Sequence, residues 1–249
     1  MAFFEVQCKS ESLGKQVRVN VALPGNRTDD AGELPVIWLL HGLSDDESTW
    51  ARKTSVERYA DDHGFAVVMP DGDRSWYLNQ PAGRYEDYIG DELPALMRGY
   101  FPYLSKKREN NMIAGLSMGG YGALHTALKR PGRYGAVACF SGAFGIAFPE
   151  WTRHLTSEGV IPGDPTGTDA DVYALVKKSR ERADQFPVYL WCGTEDALLP
   201  FTADMRDTLS AAGFSVTYSE TPGNHAWVYW DREIRLAMDW WAKIRRSEK

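Results

Sequence analysis

One stretch constrains this chain more than any other. Val36-Ile37-Trp38-Leu39-Leu40 is apolar on every residue, with no polar alternation. A strand of that kind is covered on both faces, and such strands are usually parallel and central. Residues 65–69, 112–116, 136–140 and 187–192 read as further strands of the same interior sheet. Helix-like segments separate them at 55–62, 85–100 and 121–129. Another begins at Phe201, carries Met205, Leu209 and Ala212 on one face, and stops at Gly213. The last carries Trp230, Ile234, Ala237, Trp241 and Ile244 at helical steps. Strands alternating with helices build βαβ units, so the expectation is an α/β fold with a mostly parallel sheet and helices on both faces. Pro94 lies inside the 85–100 pattern and predicts a kink or two helical pieces there.

The remaining segments fit around this sheet. Residues 3–9 and 16–23 alternate as a half-buried antiparallel pair about a turn at Gly14, and 215–220 alternate as a strand. A polar loop runs from Pro24 to Glu33. Only 148–185 breaks the rhythm. Rich in Pro, Gly, Asp and Thr, it reads as a cap-like insertion at the sheet's C-terminal edge, with a short helix expected around 171–182. Ligands bind at that edge in this fold class, so the insertion is placed to shape a pocket. The 249 residues are expected to form a single domain.

Composition removes several function classes. A net charge of −6 without a basic block argues against nucleic acid or an anionic membrane as partner. No window approaches the roughly 18 apolar residues of a membrane span. Residues 1–10 have neither a basic n-region nor an apolar core, and Cys8, Cys139 and Cys192 fit no disulfide framework or zinc spacing. A reducing cytoplasm is the expected location.

Chemistry concentrates at Gly115-Leu116-Ser117-Met118-Gly119, a Gly-x-Ser-x-Gly pattern between a strand and a helix. There a serine on a sharp, strained turn is pushed out at the top of the sheet, and small residues two before and two after it let the backbones pass. A hydroxyl needs a base to take its proton, and the base needs a third group to orient it. Of the five histidines, His63 reads as a helix-end cap, His125 as a residue of the helix after Ser117, and His154 as part of the insertion. His41 belongs to the turn after the first central strand. His225, in the loop after the last strand, is the best base. Residues 187–192 end in Gly193-Thr194-Glu195-Asp196, which offers Asp196 as the orienting acid and Glu195 as a fallback. The order Ser117, Asp196, His225 is the nucleophile–acid–histidine order of α/β-hydrolases. The oxyanion donors are expected to be the N–H groups of Met118 and of Leu43, in the loop after the first central strand. His41, Trp76, Tyr77 and Trp227 are the pocket candidates. Asp71-Gly72-Asp73 reads as a turn and not a metal site, and Gly42, Gly72 and Gly90 form no dinucleotide fingerprint.

His41-Gly42-Leu43, the run from Gly115 through Ser117 to Gly120-Tyr121-Gly122-Ala123, Gly193-Thr194-Glu195-Asp196, and Asn224-His225-Ala226-Trp227 with Trp230-Asp231 together resemble the putative-esterase family of α/β-hydrolases. The resemblance is nearest to short-chain tributyrin esterases and extends to S-formylglutathione hydrolases. The latter usually carry Thr-Cys where this chain has Ser44-Asp45 after His41-Gly42-Leu43. It implies a serine carboxylesterase acting on small, short-acyl (acetyl-type) esters through an acyl-enzyme, needing no cofactor and no metal. Its partner is a small-molecule ester substrate, and homo-oligomerisation is left open. A thioesterase of the formylglutathione kind, an acyltransferase, and a non-catalytic scaffold of the same fold are the alternatives.

Overall fold

The computed structural model describes residues 1–25, 32–161, 163–180 and 182–247. Most of the polar loop expected from Pro24 to Glu33, residues 26–31, lies outside these. The strands are β1 (Ala2–Ser10), β2 (Lys15–Leu23), β3 (Val36–Leu40), β4 (Ala66–Pro70), β5 (Asn79–Gln80), β6 (Gly83–Arg84), β7 (Asn111–Leu116), β8 (Ala136–Phe140), β9 (Val188–Gly193) and β10 (Val216–Thr221). Apart from the small β5–β6 ribbon they form one sheet, in the order β1-β2-β4-β3-β7-β8-β9-β10. β1 and β2 pair antiparallel, as does β2 with β4; from β4 to β10 every pairing is parallel.

The helices are α1 (Thr49–Lys53), α2 (Val56–His63), α3 (Tyr85–Asp87), α4 (Leu93–Tyr100), α5 (Met118–Lys129), α6 (Pro149–Ser157), α7 (Val172–Lys178), α8 (Leu199–Ala211) and α9 (Trp227–Ser247). Side chains alternate across a strand, so β3 feeds both layers. Val36, Trp38 and Leu40 join the core under α4, α5, α7 and α8. Ile37 and Leu39 join the core under α1, α2 and α9, where Trp230, Ile234, Ala237 and Trp241 form the buried stripe of α9.

The order of the strands matters for the site. After β3 the chain adds β4 on one side, then returns to place β7 on the other. This reversal opens a crevice at the carboxyl ends of β3 and β7, the position where such sheets bind ligands. The loop after β3 and the turn after β7 both end in that crevice.

Three details differ from the sequence expectation. The expected break near Pro94 is a π-helical turn, Tyr88–Glu92, between α3 and α4, with Pro94 in the first turn of α4, where its missing N–H costs nothing. The helix after Ser117 starts at Met118 and not Tyr121: Gly119 and Gly120 are helical despite their low propensity. The 148–185 segment holds a second helix, α6, that its Pro- and Gly-rich composition hides. Pro149 stands in its first turn and Trp151 and Leu155 face inward. α7 begins where expected, with the Asp171 side chain accepting from the N–H groups of Tyr173 and Ala174. Aromatic contacts dock the segment: Phe148 and Trp151 on Phe201 (5.1 and 5.9 Å), and Trp151 edge-on to Trp76 (5.6 Å). On the surface, Arg74 bonds Glu158 at 3.1 Å, just beyond the end of α6.

Helix α5 can start where it does only because Gly119 has no side chain. A Cβ there would lie 2.5 Å from the carbonyl oxygens of both Leu40 and His41. Those atoms are backbone and cannot swing aside. Gly119→Ala is therefore expected to lower stability by about 1–3 kcal/mol, read as the urea midpoint at constant m. Gly132→Ala, whose Cβ would meet nothing within 4 Å, should stay within about 0.5 kcal/mol of the parent.

Candidate active site

Ser117 occupies the turn between β7 and α5 with φ 53° and ψ −117°. A non-glycine residue held there stores of order 1–3 kcal/mol of strain, and the surroundings over-determine it. Its N–H donates to the Phe140 carbonyl at 2.9 Å, and its own carbonyl accepts from Gly120, Tyr121 and Ala143 at 3.0–3.1 Å. Gly115, two residues earlier, passes so close that a Cβ would lie 2.3 Å from the Gly119 carbonyl oxygen.

Asp196 and His225 come together from the ends of β9 and β10. Asp196 Oδ2 accepts from His225 Nδ1 at 2.9 Å, and Oδ1 accepts from the Leu198 N–H at 2.9 Å. Because Nδ1 carries the proton, Nε2 is the ring's acceptor in the neutral form. Burial pushes the Asp196 carboxyl upward. Hydrogen bonds from His225, Leu198 and Ser141 outweigh it and hold the group below the usual carboxylate range. Ser141 (φ 47°) directly follows β8, and its Oγ also accepts from Trp230 Nε1 at 3.2 Å. The Trp230 ring stands edge-on to His225, 4.8 Å between centroids. Glu195, the fallback acid, faces away and is used otherwise. It is exposed, its N–H donates to the Gly223 carbonyl at 2.9 Å, and its carboxylate accepts the Gly223 N–H, tying down the His225 loop.

A cavity of about 420 Å³ lies over Ser117, lined by Leu43, Trp76, Met118 and the α6 residues Glu150, Trp151, His154 and Leu155. The N–H groups of Leu43 and Met118 donate to no backbone acceptor among the described residues, so both remain available at this wall. Of the pocket candidates, only Trp76 lines the cavity. His41 is buried behind the wall: Nε2 accepts the Gly72 N–H at 2.8 Å, and Nδ1 therefore donates to the Gly42 carbonyl at 2.8 Å. Tyr77 is fully buried, and Trp227 packs edge-on against Trp50 and Trp230 at 5.1 and 5.4 Å. An aromatic pair beside a strand end satisfies core and pocket equally well, so sequence position alone did not separate Trp76 from Tyr77. The α6 residues were missed. Their signal was present, since positions 150, 151, 154 and 155 share one face of a helix started by Pro149.

His63, His125 and the cysteines are structural. His63 bridges the Tyr59 carbonyl and Asp239, and the buried His125 bonds the Asp169 carbonyl at 2.8 Å. All three cysteines are buried, and desolvation pushes the Cys192 thiol up to about 11. Asp71 Oδ1 accepts the Asp73 N–H at 2.9 Å, an ordinary turn. No group of three or more His, Cys, Asp or Glu able to hold a metal occurs among the described residues. Nor is any described helix long and apolar enough to cross a membrane. A larger cleft of about 800 Å³, bordered by Asp91, Arg98, Lys106, Arg130 and Arg133, has no serine, threonine or cysteine in its lining.

Residues 10–239 match the family model described as "Putative esterase". The chain belongs to this esterase family. A curated relative, the acetyl esterase of Caldicellulosiruptor saccharolyticus, is 28% identical over 98% of this chain and 99% of its own length. Among solved structures, the Staphylococcus aureus fluorophosphonate-binding serine hydrolase F superposes with a TM-score of 0.87 at 33% identity, covering 97% of this chain and 98% of that one. An S-formylglutathione hydrolase of the same organism has a TM-score of 0.85, also at 33% identity and with the same coverage. The architecture is the α/β-hydrolase fold, and the esterase-family member described here is a serine hydrolase of the carboxylesterase type.

The depressed Asp196 carboxyl has a measurable consequence. A folded-state value below the unfolded one stabilises the protein above the ordinary carboxylate range, and this contribution is lost as pH falls through the lower folded value. The gap in melting temperature between the parent and Asp196→Asn should therefore be widest near neutrality and narrow below about pH 4. A gap constant from pH 7 to 3 would contradict the assignment.

Proposed function

We propose that this esterase-family member hydrolyses small, short-acyl esters of the acetyl type through an acyl-enzyme, as one domain with 148–185 as its cap. Ser117 attacks the carbonyl carbon and forms the new C–O bond. His225 takes the serine proton and returns it to the departing alcohol, and Asp196 holds the imidazole in the required tautomer. The N–H groups of Leu43 and Met118 stabilise the oxyanion, and water, activated by the same histidine, releases the acid. The observation that supports this reading is the 2.9 Å His225–Asp196 bond, formed beyond the carboxyl ends of β9 and β10 on the same edge of the parallel sheet as Ser117 after β7. A cavity of about 420 Å³ lined by Leu43, Trp76, Met118, Trp151 and Leu155, with Glu150 and His154 as its polar members, supports a small acyl group, and the acetyl esterase relative supports the same choice.

A thioester substrate is the second reading, favoured by the 33% identical S-formylglutathione hydrolase. The ratio of kcat/KM on S-formylglutathione to that on p-nitrophenyl acetate separates the two, and we expect the acetate to be preferred and octanoate to be poor. Ser117→Ala should fall to the uncatalysed background and lose fluorophosphonate labelling; folded Ser117→Ala retaining turnover would sink the proposal, and an unlabelled parent would point to a binding scaffold. Asp196→Asn should lose about 10⁴-fold in kcat, whereas Glu195→Gln should lose less than about tenfold.

A further inference from the structure

Two consecutive aromatic residues, Trp76 and Tyr77, have φ of 54° and 58°. For bulky side chains this left-handed conformation is a true outlier, and such strain persists only where surrounding contacts impose it. At Tyr77 the contacts are specific. The side chain is fully buried, and its hydroxyl donates to the carbonyl oxygen of His41 at 2.8 Å. Ser75 Oγ accepts the Tyr77 N–H at 3.0 Å and donates to the Gly72 carbonyl at 2.5 Å, closing the turn that aims the ring. Two glycines clear its path. A Cβ on Gly72 would lie 2.3 Å from the ring, and one on Gly122 would lie 2.2 Å from it.

The loop that receives this hydroxyl carries Leu43. Gly72 donates to His41 Nε2, which leaves the proton on Nδ1, and Nδ1 donates to the Gly42 carbonyl. Gly42 C=O and Leu43 N–H belong to one planar peptide and point in opposite directions. Fixing the carbonyl therefore fixes the direction of the Leu43 N–H. The His41 ring can do this only if its own backbone is held, and the Tyr77 hydroxyl holds it at the carbonyl.

We propose that Tyr77 is a positioning residue for oxyanion stabilisation: its hydroxyl, on the His41 carbonyl, sets the loop that aims the Leu43 N–H at the reacting carbonyl. This rests on the reading of Leu43 as an oxyanion donor. Tyr77 touches no substrate, since it lies wholly behind the cavity wall. Losing the hydroxyl leaves the cavity lining intact and frees the loop to tilt, so the effect falls on the transition state and not on ground-state binding.

Tyr77→Phe tests this in the intact protein with p-nitrophenyl acetate. The expected result is a fall in kcat of about ten- to hundredfold with KM within about twofold. The affinity of a trifluoromethyl ketone, which forms a serine hemiketal with an oxyanion, should weaken by the same factor. Tyr88→Phe is the control, because the Tyr88 hydroxyl is equally buried but has no hydrogen-bond partner among the described residues; it should leave kcat and ketone affinity within about twofold. Where Tyr77→Phe does not fold, Gly72→Ala presses on the same ring while keeping the hydroxyl, and the same split is expected. The proposal fails if folded Tyr77→Phe keeps kcat within twofold, if its loss lies in KM alone, or if Tyr88→Phe loses as much. A parent enzyme that neither turns over acetate nor binds the ketone would instead remove the reading of the site itself, and this inference with it.

Discussion

The start of α5 lies against the end of β3 at a distance that only a glycine permits. Gly119 touches the carbonyl oxygens of Leu40 and His41, and Gly115 touches Gly119 in turn. This approach places the turn after β7 beside the loop after β3. Without it, Ser117 and Leu43 would stand apart, and the proposed oxyanion donors Leu43 and Met118 would not line one cavity with the serine. The strain at Ser117 follows from the same approach, and the hydrogen bonds around that residue are what keep it there.

Polar groups around the crevice are held in pairs, as burial demands. An isolated carboxylate in this setting would be costly, and Asp196 avoids that cost through His225, Leu198 and Ser141. His41 is satisfied by two backbone groups. The neighbouring glutamate, Glu195, remains outside and ties the histidine loop from solvent. Adjacent acids thus divide the work by burial: the inner one reaches the imidazole, and the outer one holds the backbone that carries it.

The layered sheet and the acid–histidine contact were legible in the sequence because each leaves a pattern of period or order. Unbroken apolar runs marked β3, β4, β8 and β9, and Ser117, Asp196 and His225 each fell at the end of a strand. The pocket was not legible in the same way. His41, Tyr77 and Trp227 sit near the right strand ends, yet packing turns them into the wall's support, and only contacts in space reveal this. Helix α6 was hidden for the opposite reason. Pro, Gly and Thr around it resemble a loop, while tertiary contacts from Phe201 and Trp76 decide its state.

The 148–185 segment and the elbow beneath it are held by different kinds of force. Below, most of the elbow and the Asp196 carboxylate are buried, while the His225 ring that bonds it is partly open to solvent. Above, α6 rests on aromatic edges and is latched at its far end by the solvent-facing Arg74–Glu158 pair, with His154 3.6 Å from the same carboxylate. Exposed ion pairs weaken as salt screens them, whereas buried ones respond little. Ionic strength therefore acts on the roof of this cavity, so the shape offered to a substrate is set partly by the solution.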